Sequence, residues 1–151
     1  MILVRRSTIL DVPLERAWAL LRDFNGHDRW HPAISESMVE QNRPADAVGC
    51  VRRFRLADGS ELRERLLTLS DLETTLAYCL LETPIPLFNY VAHVRLLPVT
   101  DGERTFWQWE SRFTTLPGEE EAMRRLVGEE IYEAGFVAVR RLLQQSSGES
   151  R

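Results

Sequence analysis

The sequence predicts an α+β fold in which a curved, seven-stranded antiparallel sheet wraps around one long C-terminal helix. Three observations point there. Residues 34–115 carry six consecutive period-two segments broken by turn residues, and residues 2–10 look like a further strand. Between that first strand and the other six lie only two short helical patterns. From Met123 to Leu142 apolar residues then recur at helical spacing.

Each element has its own signal. After the first strand, Asp11 and Pro13 start a helix whose apolar side is Ala17, Trp18, Leu20 and Leu21, ending near Asp23. Residues 24–32 form a second short helical connection that Pro32 stops. The six following strands fall near 34–41, 48–57, 61–70, 73–82, 88–98 and 104–115. Asp58-Gly59, Asp71, Pro84 to Pro86 and Asp101-Gly102 punctuate them. Six strands without crossover helices must meander antiparallel. After Pro117-Gly118, the acidic run Glu119 to Glu121 suits a helix N-terminus. Met123, Val127, Ile131, Ala134, Ala138 and Leu142 mark one face of that helix, the only element long enough to cover the sheet. One domain is expected over residues 1–145, with 146–151 as a disordered tail.

Composition narrows the function. With 44% apolar and 28% charged residues the chain has the balance of a folded domain, not of a disordered one. A net charge of −4 supplies no clustered positive surface for phosphates, so no nucleic-acid partner is expected. Cys50 and Cys79 are too few for a disulfide framework and lack metal spacing. The N-terminus has no long apolar run after its charges, and no window approaches a membrane span, so a cytoplasmic location is expected. No nucleophile motif, phosphate-binding loop, dinucleotide fingerprint or metal helix occurs, and no cofactor or metal is expected. His27 and His31 stand four apart without a third ligand and read as ordinary loop histidines; His93 has outward parity.

Strand parity sorts the side chains. Cys50, Arg52, Phe54 and Leu56 face inward, as do Leu62, Glu64, Leu66 and Thr68, then Leu76, Tyr78 and Leu80, then Phe88, Tyr90, Ala92, Val94 and Leu96. For Phe54 and Glu64 to share a face, the loop between their strands must hold an odd number of residues. A two-residue Asp58-Gly59 turn is therefore rejected in favour of a longer, bulged one. Arg52 and Glu64 become diagonal neighbours on the buried face. They either plug the sheet as an internal salt bridge or line a wet cavity and orient a ligand. On the seventh strand, hydrophobicity alone would bury Trp107 and Trp109 and expose Phe106, Gln108, Glu110 and Arg112.

The landmarks Trp18 through Asp23-Phe24 to Trp30 and Pro32, Val39-Glu40-Gln41-Asn42, Val48-Gly49-x-Val51-Arg52, Gly59-x-Glu61-Leu62-x-Glu64-Arg65-Leu66 and Trp109-Glu110-Ser111 resemble, over nearly the whole chain, the START-like or SRPBCC superfamily of polyketide cyclase/dehydrase and lipid-transport proteins. That resemblance implies the helix-grip fold, with a cavity for a small hydrophobic molecule between sheet and helix. The pattern is also similar to that of the plant abscisic acid receptors, which implies cavity positions for Glu64, Tyr78, Tyr90 and Glu110, with Arg52, Phe54 and Ala92. His31 falls near the place of the receptors' acid-binding lysine. The receptor gate loop is missing, since the turn here is Ala57-Asp58-Gly59-Ser60, so hormone recognition is not implied. The resemblance turns the Glu110 face, which Gln108 shares, toward the cavity. Trp107 and Trp109 are then left outward beside Ala77, Cys79 and Val91, a patch suited to a homodimer. A local bulge turning the tryptophans inward is the alternative.

Leu66, Ala134 and Ala138 complete the expected lining, the two alanines because small residues leave room on the helix. Three functions follow. A carrier or sensor would hold a lipid-, polyketide- or aromatic-acid-like ligand. A cyclase or dehydratase would use Glu64 and Glu110 as general acid and base, with Arg52 or Tyr78 stabilising an enolate. A protein-interaction module would use the tryptophan patch instead.

Overall fold

The computed structural model describes residues 1–149, and their side chains as far as residue 145. Strand β1 (Ile2–Leu10) leads into α1 (Leu14–Leu21) and a single 3-10 turn (His27–Arg29). Six strands follow: β2 (Ile34–Val39), β3 (Val51–Leu56), β4 (Glu61–Ser70), β5 (Thr75–Glu82), β6 (Phe88–Val99) and β7 (Arg104–Thr114). The chain ends in α2 (Glu120–Arg125), a π-helical stretch (Leu126–Glu133) and α3 (Ala134–Glu149), which run on as one helix because the residues at both junctions keep helical dihedrals. The expected tail at 146–151 lies, in its side chains and last two residues, outside the described residues.

All seven strands form one antiparallel sheet in the order β1-β7-β6-β5-β4-β3-β2, the α+β fold that the pattern of segments predicts. Register irregularities in the β2–β3, β4–β5 and β6–β7 pairings bend the strands and curl the sheet toward the helix. The β3–β4 connection is the odd, three-residue loop that parity requires. Phe54 pairs with Leu62, Leu56 N–H donates to the Ser60 carbonyl, and Gly59 takes the left-handed conformation (φ +91°). Arg52 and Glu64 are direct rather than diagonal partners in that ladder.

Four orientations differ from the sequence expectation. On β7 the buried face is Thr105, Trp107, Trp109, Ser111 and Phe113, while Gln108 and Glu110 look out. Ring area decides this: burying two indoles is strongly favourable, whereas burying the Glu110 carboxylate in their place would cost its hydration. No outward tryptophan patch exists, and the basis for a homodimer through it goes with it. Phe88 is 46% exposed, because the β6 irregularity at residues 88–91, with Asn89 at φ +55°, reverses its parity relative to Tyr90. Thr68 is exposed for the same reason, following a bulge between Leu66 and Thr68.

The fourth difference is the phase of the final helix. Its inward residues are Val127, Tyr132, Phe136, Val139 and Leu143, so the spacing lengthens to five across the π-helical stretch and returns to three and four beyond it. A π turn carries an extra residue and rotates everything after it. Ala134 and Ala138 are therefore half-buried on the flank, and bulky Tyr132 and Phe136 hold the position expected for them.

Candidate functional site

The sheet and helix do not close completely. A cavity of about 380 Å³ remains between the concave face of the sheet, the 3-10 turn and the π-helical stretch. Its wall is mostly aromatic and aliphatic: Phe24, Trp30, Phe54, Leu62, Leu76, Tyr78, Leu80, Ile85, Leu87, Tyr90, Val94, Trp107, Trp109 and Ile131. Ala57 and Asp58 of the β3–β4 loop and Glu130 of the helix are exposed and mark its opening. This volume is at the small end of what ligand pockets occupy.

The polar floor is built by β3 and β4. Arg52 donates from Nε and Nη2 to Oε1 of Glu64 at 2.9 and 2.6 Å, and from Nη1 to the Phe24 carbonyl. The guanidinium lies over the Phe24 ring at 3.9 Å and near Tyr78 at 4.9 Å, so aromatic faces shield it from water. Burial pushes the Glu64 carboxyl above its ordinary range, and Arg52 opposes that shift.

The 3-10 turn supplies the histidine wall. Asp23 accepts from the Asn25 N–H at 3.2 Å and from Arg29 at 2.6 Å, closing the turn; a side chain at Gly26 would collide with the Arg29 guanidinium and the Asp23 carboxylate. Asp28 then ties the turn to β2 by accepting from the Ser37 N–H at 3.1 Å. Held this way, His27 is 6% exposed and edge-on to Phe54 at 4.7 Å, with neither ring nitrogen bonded to protein. Burial, then the charge of Arg52, keeps its pKa well below the usual imidazole value. His31 has both nitrogens occupied: Nδ1 accepts from the Ala33 N–H at 3.1 Å, and Nε2 faces the Ile131 carbonyl at 2.8 Å and donates to it. That bond pins the π-helical stretch to the turn.

The aromatic wall is a continuous stack. Trp109 lies on Tyr132 at 4.2 Å and beside Trp107 at 5.8 Å, and its indole donates to the Tyr78 hydroxyl at 3.1 Å. Tyr90 and Tyr132 share a hydroxyl hydrogen bond. Burial drives all three phenols well above their ordinary pKa, so they stay neutral donors. The helix comes this close because residue 135 is glycine: a Cβ there would stand 3.0 Å from Trp109 and 3.2 Å from Trp30.

Of the residues expected to line a cavity, His31, Arg52, Phe54, Glu64, Tyr78 and Tyr90 do so. Leu66 and Ala92 are wholly buried in the core instead. Gln108 and Glu110 lie on the opposite face, where Glu110 pairs with Arg5 at 2.6 Å, and Ala134 and Ala138 are rotated away. With Glu110 outside, Glu64 and Glu110 are not brought together as the expected acid–base pair. Sequence reasoning missed His27, Trp30, Trp107 and Trp109 as wall residues. The alternation of β7 was the available signal for the tryptophans; nothing marked His27.

The sequence profile described as polyketide cyclase/dehydrase and lipid transport matches residues 1–144. No curated protein matches the chain in sequence. Among solved structures, a protein from Bacillus thuringiensis is similar at 26% identity, covering 93% of this chain and 98% of its own, with a TM-score of 0.82. The protein XoxI from Bacillus cereus is similar at 25% identity over 94% and 95% of the two chains, with a TM-score of 0.84. A START superfamily protein from Mycobacterium smegmatis, at 14% identity, shares the fold over 95% and 97% with a TM-score of 0.79. A profile match over residues 1–144 and a shared sheet-and-helix architecture agree: the chain belongs to the polyketide cyclase/dehydrase and lipid transport family.

Proposed function

We propose that this domain binds one small hydrophobic molecule in the cavity between the sheet and the final helix, as a carrier or sensor. The observation that carries the reading is the cavity itself. A 380 Å³ space walled by aromatic and aliphatic side chains forfeits packing contacts and is costly to leave empty. A bound apolar molecule would recover those lost contacts. Family membership supports the same reading. Catalysis is the weaker reading, because Glu64 is held by Arg52 and Glu110 is on the far side of the sheet.

Native mass spectrometry of protein purified from its own cells tests the proposal. A 1:1 adduct with a small molecule is expected, and Leu80→Trp, which fills the wall from β5, should abolish it. An adduct that survives Leu80→Trp unchanged would put the ligand elsewhere.

A further inference from the structure

We infer that the buried end of the ligand is an uncharged hydrogen-bonding oxygen, a ketone, ester or hydroxyl, received by His27 and the indoles of Trp30 and Trp107. The cavity discriminates against carboxylates. This inference rests on the binding function proposed above and names its ligand class.

Arg52, the one guanidinium among the described residues that line the cavity, is already committed. Three of its nitrogens donate to Glu64 and to the Phe24 carbonyl. A carboxylate brought beside it would meet Glu64 as well, and a buried charge without its own partner is strongly disfavoured. The charge of the site points the same way. Of the five Asp, Glu and Arg residues that line the cavity, four are acidic. Asp58 and Glu130 sit exposed at the opening, so an approaching anion is repelled.

What the wall does offer is polar but uncharged. Nδ1 and Nε2 of His27, Nε1 of Trp30 and Nε1 of Trp107 are buried and have no protein partner. His27 is 6% and Trp107 1% exposed, so bulk water does not reach them freely. Buried polar atoms are nearly always partnered, and four in one wall call for a partner from outside the chain. An indole N–H only donates, so its complement is an acceptor. A neutral imidazole offers one donor and one acceptor and so accommodates a hydroxyl as well as a carbonyl. The lowered pKa of His27 keeps it neutral, and it brings no positive charge to draw a carboxylate.

Calorimetric titration of the intact protein with 2-acetonaphthone, 2-naphthoic acid and 2-naphthylmethylamine tests this. The ketone should bind at least about tenfold more tightly than the acid or the amine, which share its ring. Equal or tighter binding of the acid or amine would overturn the inference and leave the cavity as a binding site. Saturable binding of none of the three would overturn the binding function and this inference together. His27→Leu should weaken the ketone about three- to tenfold relative to unsubstituted naphthalene, the equivalent of one neutral hydrogen bond. His27→Gln should restore most of it. Equal losses for ketone and naphthalene would make His27 a packing residue and overturn its role.

Discussion

Arg52 and Glu64 face each other directly across β3 and β4, and both nitrogen contacts from the guanidinium land on one carboxylate oxygen, Oε1. Each residue is more than nine-tenths buried. Such a pair is expensive to break and cheap to replace, because removing one partner leaves the other charge stranded. Glu64→Gln should therefore cost about 3–5 kcal/mol in a denaturant melt. The double variant Arg52→Met, Glu64→Leu should recover most of that loss. A Glu64→Gln protein as stable as the wild type would mean that Arg52 finds its counter-charge elsewhere.

The inside–outside assignment of β7 has a sharp energetic signature. Trp107→Ala should destabilise by about 3–5 kcal/mol, since it empties a site that is 1% exposed and packed on Phe136 at 4.6 Å. Glu110→Gln should cost under about 1 kcal/mol, because its partner Arg5 is half exposed. Reversed magnitudes in thermal or urea melts would return Glu110 to the cavity.

What the sequence made legible was whatever obeys a simple period. The seven strands, the odd β3–β4 loop and the inward parity of Arg52 and Glu64 follow from alternation and one loop-length argument. What stayed hidden breaks the period. Phe88 and Thr68 follow bulges, and Ala134 and Ala138 follow a π turn; each device shifts the phase by a residue without changing local composition. The β7 error had another origin. There the alternation pointed correctly to buried tryptophans, and a distant likeness to receptors of an acid overrode it. His27 was invisible because its role depends on a 3-10 turn whose closure by Asp23, Asn25 and Arg29 no spacing rule reveals.

Acid should destabilise the fold through its two buried imidazoles. His27 and His31 both have pKa values lowered in the folded state, by burial first. Below their ordinary value of 6.5 the unfolded chain binds protons that the folded chain refuses, so stability falls as pH drops from 6.5 toward the lowered values. Each group can contribute up to about 1.4 kcal/mol per pH unit in that window. Glu64 has the opposite sign: its raised value favours the folded state at low pH, an advantage lost as pH rises from 4.5 through the folded value. Urea melts from pH 7 to 5 should show the decline, and His27→Gln should flatten it. An unchanged slope in that variant would show that His27 is not buried neutral.

Gly135 sets how closely the helix approaches the indoles. Gly135→Val should destabilise by about 1–3 kcal/mol through overpacking against Trp109 and Trp30, despite the gain in helix propensity over glycine. A neutral or stabilising result in a thermal melt would mean that the helix can shift outward without loss.

The indole N–H resonances of the four tryptophans offer the most direct test of ligand binding in the cavity. Trp30, Trp107 and Trp109 line it, whereas the Trp18 indole donates to Asp71 at 2.8 Å outside it. In a nitrogen–proton correlation spectrum titrated with 2-acetonaphthone, the signals of Trp30, Trp107 and Trp109 should move together to saturation at one equivalent, with Trp18 fixed as an internal control. Shifts confined to Trp18, or no saturable shift in any indole, would contradict a ligand site between the sheet and the helix.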